Sequence, residues 1–147
     1  MAGIKEELVK MMNQALELEH AARIQYLAHA ELIDGMKSEK IIERIKEIAA
    51  DEQQHEDMFR NMIGAYLGGE PTMGVSETHQ AKEAKDILEV NLQDEKNAID
   101  FYRSIYRKIL DHKEELPYTF ERLEHDVRHI IIDEEEHVAE LSQLLGI

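Results

Sequence analysis

Residue types that bind metal ions occur in two copies of one spaced pattern along this chain. In each copy a single Glu precedes a Tyr by seven residues, and a Glu-x-x-His follows in the next long segment. In chain order, the residues of the two copies are Glu19, Tyr26, Glu52 and His55, and then Glu95, Tyr102, Glu134 and His137. Four carboxylates and two imidazoles on four helical segments are the ligand set of a two-metal site inside a helix bundle. The pattern therefore predicts a metal centre held by the four Glu and the two His.

The segments that carry this pattern are expected to be four long helices. Proline occurs only at Pro71 and Pro117, and the glycines cluster just before and within the stretch 68–78, so helix-breaking residues are scarce elsewhere. The predicted helices are residues 4–33, 38–67, 79–110 and 117–145. We expect an all-α four-helix bundle that forms a single domain, residues 1–147. Because the polar connection 68–78 is the longest, two helical hairpins joined by a long crossover are predicted.

Register on the helices separates this pattern from chance occurrences of the same spacing. In the second helix, stripe residues recur at alternating four- and three-residue intervals, as the buried face of a bundle helix requires. The members of that stripe are Ile41, Ile45, Ile48, Glu52, His55, Phe59, Met62 and Tyr66. The other four predicted ligands fall on the stripes of their own helices. An additional Glu-x-x-His, Glu17 with His20, lies off the stripe of the first helix, so we expect it to face solvent.

Composition excludes several other chemistries. The chain of 147 residues has no cysteine, which excludes disulfides, zinc ribbons, iron–sulfur clusters and thiol catalysis. Its 32 acidic and 17 basic residues give a net charge of −15, which disfavours binding to nucleic acid and to anionic membranes. The N-terminus lacks the apolar core of a secretion signal, and no apolar run approaches the roughly 20 residues that span a bilayer. We expect a cytoplasmic protein with no nucleic-acid or membrane partner.

Buried carboxylates favour a metal centre over an ordinary polar core. Four ionised Glu side chains in a dry core are destabilising unless a counter-charge offsets them. Two divalent cations bring four carboxylates and two neutral imidazoles to zero net charge without a buried Lys or Arg. The alternative is a metal-free structural bundle in which Glu and His hydrogen-bond to one another.

Four further side chains are placed to act on the predicted ligands. Tyr26 and Tyr102 lie two turns beyond the lone Glu residues on the same face. A phenol there either hydrogen-bonds a liganding carboxylate or supplies an electron in oxygen chemistry, or it only packs in the core. Asp51 and Asp133 each precede a predicted ligand Glu and lie four residues before a predicted ligand His. Each either orients an imidazole N–H or is a solvated surface charge.

Three histidines outside the pattern have two interpretations. His29 extends the stripe of the first helix, and His125 and His129 lie beside the stripe of the fourth. Each is either a transient stop for a metal ion or a structural or surface histidine. We assign no role to His79 and His112, which lie near predicted helix ends.

The whole chain resembles the ferritin-like superfamily, most closely its bacterioferritin branch. The resemblance lies in four segments, which read EHAARIQY from Glu19, DEQQH from Asp51, EKNAIDFY from Glu95 and DEEEH from Asp133. It implies a ferritin-like four-helix bundle with a di-iron centre. The implied roles are terminal ligand for Glu19 and Glu95, bridging ligand for Glu52 and Glu134, and capping ligand for His55 and His137.

Three departures from family patterns narrow what this resemblance implies. Haem-binding bacterioferritins have a Met directly after the Glu of the second helix, and this chain has Gln53, so no haem is expected. Only ten residues follow His137, so neither the fifth helix that lines a pore of large ferritin shells nor a closed cage is expected. Rubrerythrins, a neighbouring branch, carry an additional Glu where this chain has Ala98, and usually a cysteine-rich domain.

The activity implied by the resemblance is that of a ferroxidase with two iron ions per chain. It would oxidise Fe(II) with O2 or H2O2 for iron detoxification or storage. Manganese and zinc are alternative metals, since geometry rather than raw affinity selects among them. The alternative function is that of a rubrerythrin-like peroxide or oxygen reductase, which takes electrons from a donor protein and stores no iron. Apolar residues expected on the helix backs, namely Leu16, Leu27 and Ile63, favour a homo-oligomer, a dimer or larger.

Overall fold

Four long helices make up most of the computed structural model, which describes residues 3–147. Their bounds are Ile4–Ala30 for α1, Ser38–Asn61 for α2, Ala84–Asp111 for α3 and Phe120–Leu145 for α4. Within residues 3–147 there is no strand, and none of the helices is long and apolar enough to cross a membrane. The most extensive packing is of α1 against α2 and of α3 against α4, and α1 also packs against α3. The prediction of a four-helix bundle is confirmed.

A layer of polar side chains divides the apolar core into two clusters. One cluster includes Leu8, Met12, Phe59, Ile105 and Val127, all of them fully buried. The other includes Ile45, Ile48, Ile87 and Leu141. Burial of one such side chain contributes about 1.5–3 kcal/mol. The two clusters therefore stabilise a bundle whose middle layer is costly to bury.

The connection from α2 to α3, residues 67–83, is the crossover strap, which lies along α1. Asn13 on α1 accepts a hydrogen bond from the backbone N–H of Thr72 at 2.8 Å. Gly69 lies so close to α1 that a Cβ there would be 2.7 Å from both methyl carbons of Val9. A side chain at this position would push the strap away from α1, so glycine permits the close approach.

The strap explains why α3 begins later than predicted. The backbone N–H of His79 donates to Oε1 of Gln25 on α1 at 2.6 Å, and the His79 ring lies 2.9 Å from Oδ2 of Asp94. These contacts hold His79 in a conformation outside the helix. Consequently α3 begins at Ala84 rather than at residue 79.

Two other helix ends also differ from their predicted positions. α1 ends at Ala30 rather than at residue 33, and a turn follows it. α4 begins at Phe120 rather than at residue 117, because Tyr118 takes a left-handed backbone conformation with φ of +66°. A residue in that conformation interrupts a right-handed helix.

The C-terminal part of the second predicted helix is α-helical only as far as Asn61. It continues as a π-helical turn, Met62–Tyr66.

Leu16 and Ile63, which were expected to be exposed, are fully buried in the first apolar cluster, so that expectation is wrong. The expected exposure of Leu27 is confirmed, at 42%.

Candidate metal centre

The six predicted metal ligands form the middle layer of the bundle. α1 and α3 each contribute one Glu to it, and α2 and α4 each contribute a Glu and a His three residues later. The exposed fraction is 0% for Glu19, 1% for Glu52, His55, Glu134 and His137, and 3% for Glu95. Residues three apart on a helix share a face, so each Glu-x-x-His directs both side chains inward.

The six side chains form two overlapping groups. In each group, four ligand atoms lie within 4.8 Å of one another. The groups are Glu19, Glu52, His55 and Glu134, and Glu52, Glu95, Glu134 and His137. Glu52 and Glu134 belong to both, so they lie between two positions that each have three carboxylates and one imidazole. The bridging role that the sequence resemblance implies for these two residues stays a prediction.

One polar atom of each of the six residues has no hydrogen-bond partner within residues 3–147. These atoms are Oε2 of Glu19, Oε1 of Glu52, Nδ1 of His55, Oε2 of Glu95, Oε1 of Glu134 and Nδ1 of His137. A buried polar atom without a partner costs about 1–3 kcal/mol, and more if it is charged. Oxygen and imidazole nitrogen are donors that suit iron, manganese and zinc. The residues therefore fit a pair of such cations.

Each of the two tyrosines hydrogen-bonds a carboxylate of the opposite hairpin. The Tyr26 hydroxyl donates to Oε1 of Glu95 at 2.7 Å, and the Tyr102 hydroxyl donates to Oε1 of Glu19 at 2.8 Å. The second oxygen of each carboxylate is the one that lacks a partner. Each phenol thus holds one oxygen of a carboxylate and leaves the other without a partner, which is more than core packing alone.

Asp51 and Asp133 contact the imidazoles crosswise. Nε2–H of His55 donates to Oδ2 of Asp133 at 2.9 Å, and Nε2–H of His137 donates to Oδ2 of Asp51 at 2.9 Å. The sequence spacing suggested that each Asp would contact the His four residues later on its own helix. Each imidazole contacts the Asp of the facing helix instead, because both rings point across the α2–α4 interface. With the proton held on Nε2, Nδ1 faces the centre as a donor atom.

Without a bound cation, burial favours protonation of the two shared carboxyls. Burial raises the pKa of Glu52 well above its usual value, and the charge of Glu134 raises it further. The pKa of Glu134 is raised by burial and then by the charge of Glu95. Burial also acts to raise the pKa of Glu95, but the nearby His137 ring, 3.6 Å away, outweighs this and lowers that pKa. In the absence of metal, a proton is thus favoured on the two shared carboxyls and disfavoured on Glu95.

The two imidazoles of the centre also hold protons strongly when no cation is bound. Burial acts to lower the pKa of His137, but its contacts with Glu95 outweigh burial and raise the pKa to about 10. Burial likewise opposes the charged form of His55, and the charge of Glu19 and the bond to Asp133 raise its pKa above the usual range. In the metal-free state, protons therefore take the place of cations in balancing the carboxylates.

A cleft between α1, α3 and the crossover strap leads to the centre. Its cavity of about 160 Å³ is lined by three of the four carboxylates of the centre, Glu52, Glu95 and Glu134, and by Ala22 and Ala98. The two alanines leave space where larger side chains would fill it. The cavity therefore provides room for a small ligand beside the carboxylates.

The pair Glu17 and His20 does not join either ligand group, but the prediction that it faces solvent is wrong. His20 is 7% exposed. Its Nδ1–H donates to the carbonyl of Gly74 at 2.7 Å, and its Nε2 accepts from Arg60 at 2.8 Å. Glu17 is half-buried and accepts from the Thr72 hydroxyl at 2.5 Å. The strap covers this face of α1, a contact that helix register does not reveal.

A second buried carboxylate on α2, Glu56, was missed by the sequence reasoning. Glu56 is 2% exposed, pairs with Arg23 and with Arg60, the latter at 2.9 Å, and lies 3.6 Å from Nε2 of His20. Its charge is offset by cationic partners, so it needs no metal ion. The signal in the sequence was Arg23, a cation beside the buried stripe of α1 that implies a carboxylate partner nearby.

His29 occupies a structural position rather than a metal stop. It is 4% exposed, and its Nδ1 accepts from the side-chain amide of Asn91 at 3.0 Å. Asn91 in turn accepts from Nε2 of Gln25 at 2.8 Å. These buried polar groups satisfy one another, so they have no need of a cation. His125 and His129 remain exposed on α4.

Four helices around a buried layer of carboxylates and imidazoles define the class of ferritin-like bundles. The chain belongs to the ferritin family, because the model of the ferritin-like domain matches residues 9–147. The bacterial ferritin of Neisseria meningitidis serogroup B is 33% identical over 91 residues, which are 61% of this chain and 58% of the relative. The bacterial ferritin of Pseudomonas aeruginosa is 30% identical over 91 residues, which are 62% of this chain and 58% of that relative. The match thus spans less than two thirds of the length of these relatives.

Solved structures match the fold over nearly the whole chain. A ferritin-like diiron-carboxylate protein from Bacillus anthracis has a TM-score of 0.89 at 26% identity and covers 99% of both chains. The bacterioferritin of Rhodobacter capsulatus has a TM-score of 0.81 at 22% identity, over 95% of this chain and 84% of that one. A dodecameric thioferritin from Bacteroides fragilis has a TM-score of 0.81 at 22% identity, over 97% of this chain and 86% of that one. The bundle is therefore of the bacterioferritin type.

Proposed function

We propose that the chain is a di-iron ferroxidase, which oxidises Fe(II) with O2 or peroxide in iron detoxification or storage. The observation that carries the proposal is a set of six buried donor atoms, one on each Glu and His of the centre, that lack a hydrogen-bond partner among residues 3–147. Their division into two overlapping groups supports two adjacent metal positions. Membership of the ferritin family supports iron as the metal.

The proposed ligands divide between two iron positions. Glu19 and His55 belong to one position, Glu95 and His137 to the other, and Glu52 and Glu134 to both. The chemistry that bound iron supplies is the transfer of one electron per Fe(II), so the pair delivers two electrons to O2 or peroxide. Manganese suits the same donors, as does zinc, which has no redox chemistry. The identity of the metal therefore decides whether the centre is active.

The chain contributes orientation and proton placement around this centre. The hydroxyls of Tyr26 and Tyr102 hold one oxygen of each terminal carboxylate, which leaves the other free to bind. The carboxylates of Asp51 and Asp133 keep the imidazole proton on Nε2, so Nδ1 is the donor atom. Donor atoms fixed in this way need little rearrangement when a cation arrives.

Anaerobic titration with Fe(II) tests the proposal directly. We expect Fe(II) binding to saturate at about two ions per chain, since the donor atoms form two positions. Admission of O2 should then convert both ions to Fe(III), followed by absorbance. A stoichiometry near zero contradicts the proposal. Uptake far beyond about two ions supports storage, whereas arrest at two with a requirement for a reductant supports the rubrerythrin-like reductase and its electron-donor protein.

The crosswise contacts predict which position each Asp affects. Asp133→Ala should weaken the ion bound through His55, and Asp51→Ala the ion bound through His137. Loss of a carboxylate behind a liganding imidazole costs roughly 10–100-fold in metal affinity. Calorimetric titration should therefore show one weakened and one unchanged ion in each variant. Glu136→Ala, an exposed position on α4, is the matched control, and an equal effect of all three substitutions would contradict the assignment.

We also propose that the chain forms a homo-oligomer. Ile24 and Leu27 on α1 are each 42% exposed, and Leu32 in the following turn is 50% exposed. Neighbouring exposed apolar side chains favour burial against another surface. Light scattering measures the mass in solution, and a monomer at all concentrations would argue against assembly.

A further inference from the structure

Outside the metal centre, α4 carries two exposed histidines one turn apart, His125 and His129. Their ring centroids lie 4.2 Å apart, and the ring planes are inclined by 30°. The side chain of His125 is 49% exposed, and His129 is also exposed. Residues four apart on a helix project side by side. Both imidazoles therefore reach the same small volume at the surface.

The ring of His125 is oriented by a buried carboxylate. Its Nδ1–H donates to Oδ1 of Asp126 at 2.9 Å, and Asp126 is 5% exposed. Asp126 is itself held by Arg122 at 3.3 Å. A carboxylate that accepts from one ring nitrogen fixes the tautomer and makes the other nitrogen, here Nε2, a better metal donor. The imidazoles of the buried centre are also oriented by a carboxylate, but there Nε2–H donates and Nδ1 is the nitrogen left as donor.

Carboxylates flank the two histidines along the helix. Glu121 lies one turn before His125 and is exposed, and Asp133 lies one turn after His129 and is half-buried. Together with the net charge of −15, they raise the local concentration of cations. Arg122 and Arg128 lie three residues to either side of His125, and each pairs with a carboxylate, Asp126 at 3.3 Å and Glu124 at 2.7 Å.

We propose that His125 and His129 chelate a divalent transition-metal ion on the surface of α4. Two histidines at positions i and i+4 on one helix face present both imidazoles to a single metal ion. Imidazole suits Zn²⁺, Cu²⁺, Ni²⁺ and Fe²⁺, and water completes the coordination at an exposed site. Neither imidazole is a ligand of the buried centre, although Asp133, one turn after His129, also accepts from His55 of that centre. The proposal does not depend on ferroxidase activity.

Calorimetric titration of the full chain with Zn²⁺ tests this site. The parent for comparison is the double variant Glu52→Gln, Glu134→Gln, which lacks the shared carboxylates of the centre. From this parent, His125→Ala and His129→Ala should each remove about one Zn²⁺ per chain, because a single exposed imidazole holds zinc weakly. His112→Ala is the matched control, since His112 has no histidine one turn away. Circular dichroism checks that each variant is folded.

The number of nitrogen ligands gives a second readout. With Cu²⁺ as the probe, electron paramagnetic resonance should show two imidazole nitrogens in the parent and one in each single variant. Equal zinc stoichiometry in the parent and both variants would overturn the proposal. So would loss of the ion in only one variant, since chelation requires both rings, or its loss in the His112→Ala control.

Discussion

Removal of bound metal is expected to lower the midpoint of thermal unfolding by about 10–20 °C at neutral pH. An ion present at about 100 times its dissociation constant stabilises the folded chain by about 2.7 kcal/mol. Two such ions contribute about 5 kcal/mol, and 1 kcal/mol shifts the midpoint of a domain this size by about 2–4 °C. A metal-free structural bundle would instead unfold at the same temperature before and after chelation.

The difference in unfolding midpoint between the metal-loaded and the metal-free protein is expected to grow as the pH rises. A His with a raised pKa in the folded state stabilises the fold below its unfolded pKa, and this stabilisation is lost as pH passes the folded value. For His137 this stabilisation is lost between pH 6.5, the usual pKa, and about pH 10, the pKa in the folded protein. The raised pKa values of His55, Glu52 and Glu134 act in the same direction. The metal-free protein therefore loses stability over this interval, while cations in the loaded protein replace the protons.

Calorimetry of chelated and metal-loaded samples between about pH 6 and about pH 9 measures this dependence. A difference that shrinks as the pH rises would contradict the exchange of protons for metal. The same exchange predicts that metal loading releases protons from the two imidazoles and from the shared carboxyls. Titration in buffers of different ionisation enthalpy counts these protons.

Glu52→Gln is expected to abolish metal binding at the centre and to stabilise the metal-free protein. Gln has the shape of Glu, but it removes a carboxylate shared by both metal groups. The loss of affinity should exceed the roughly 10–100-fold cost of losing a carboxylate that only hydrogen-bonds a ligand, such as Asp51. In the metal-free protein a buried Glu52 must either take up a proton or repel the neighbouring carboxylates, and Gln avoids both costs; replacement of buried charges by neutral side chains often stabilises by about 1–4 kcal/mol.

Two measurements on this variant separate the opposite effects. Fe(II) titration should show loss of binding, and chemical denaturation of metal-free samples should show a higher midpoint than for the unmodified chain. Glu43→Gln, an exposed position on the same helix, is the matched control and should change neither. Destabilisation of the metal-free Glu52→Gln protein would argue that Glu52 serves the fold rather than the centre.

The centre could be predicted because its residues repeat the register of the helices that carry them. Glu52 and His55 replace apolar residues within one buried stripe, and periodicity alone places them inside. Four helices joined by short turns and one strap leave few ways to arrange such stripes. The fold and the meeting of the six side chains were therefore accessible from the sequence.

Contacts made by the crossover strap were not accessible in the same way. The course of the strap along α1 depends on Asn13, Gly69 and Thr72, and no periodic pattern encodes it. Because of this, the burial of His20 was missed. The pairing of Asp51 with His137 was also missed, since spacing along one helix does not specify which neighbouring helix a ring faces.

The crosswise partnerships have a consequence for how the protein matures. Tyr26, Asp51 and their counterparts on the other hairpin all act on groups from the opposite half of the chain. Neither metal group is complete in one hairpin, since each shares Glu52 and Glu134. During synthesis, α1 and α2 emerge first with their carboxylates unmatched, and a complete pair of positions arises only after His137 has left the ribosome. If the chain has the proposed function, metal insertion is thus a post-translational step, and a filled centre is a marker that both halves of the chain have docked.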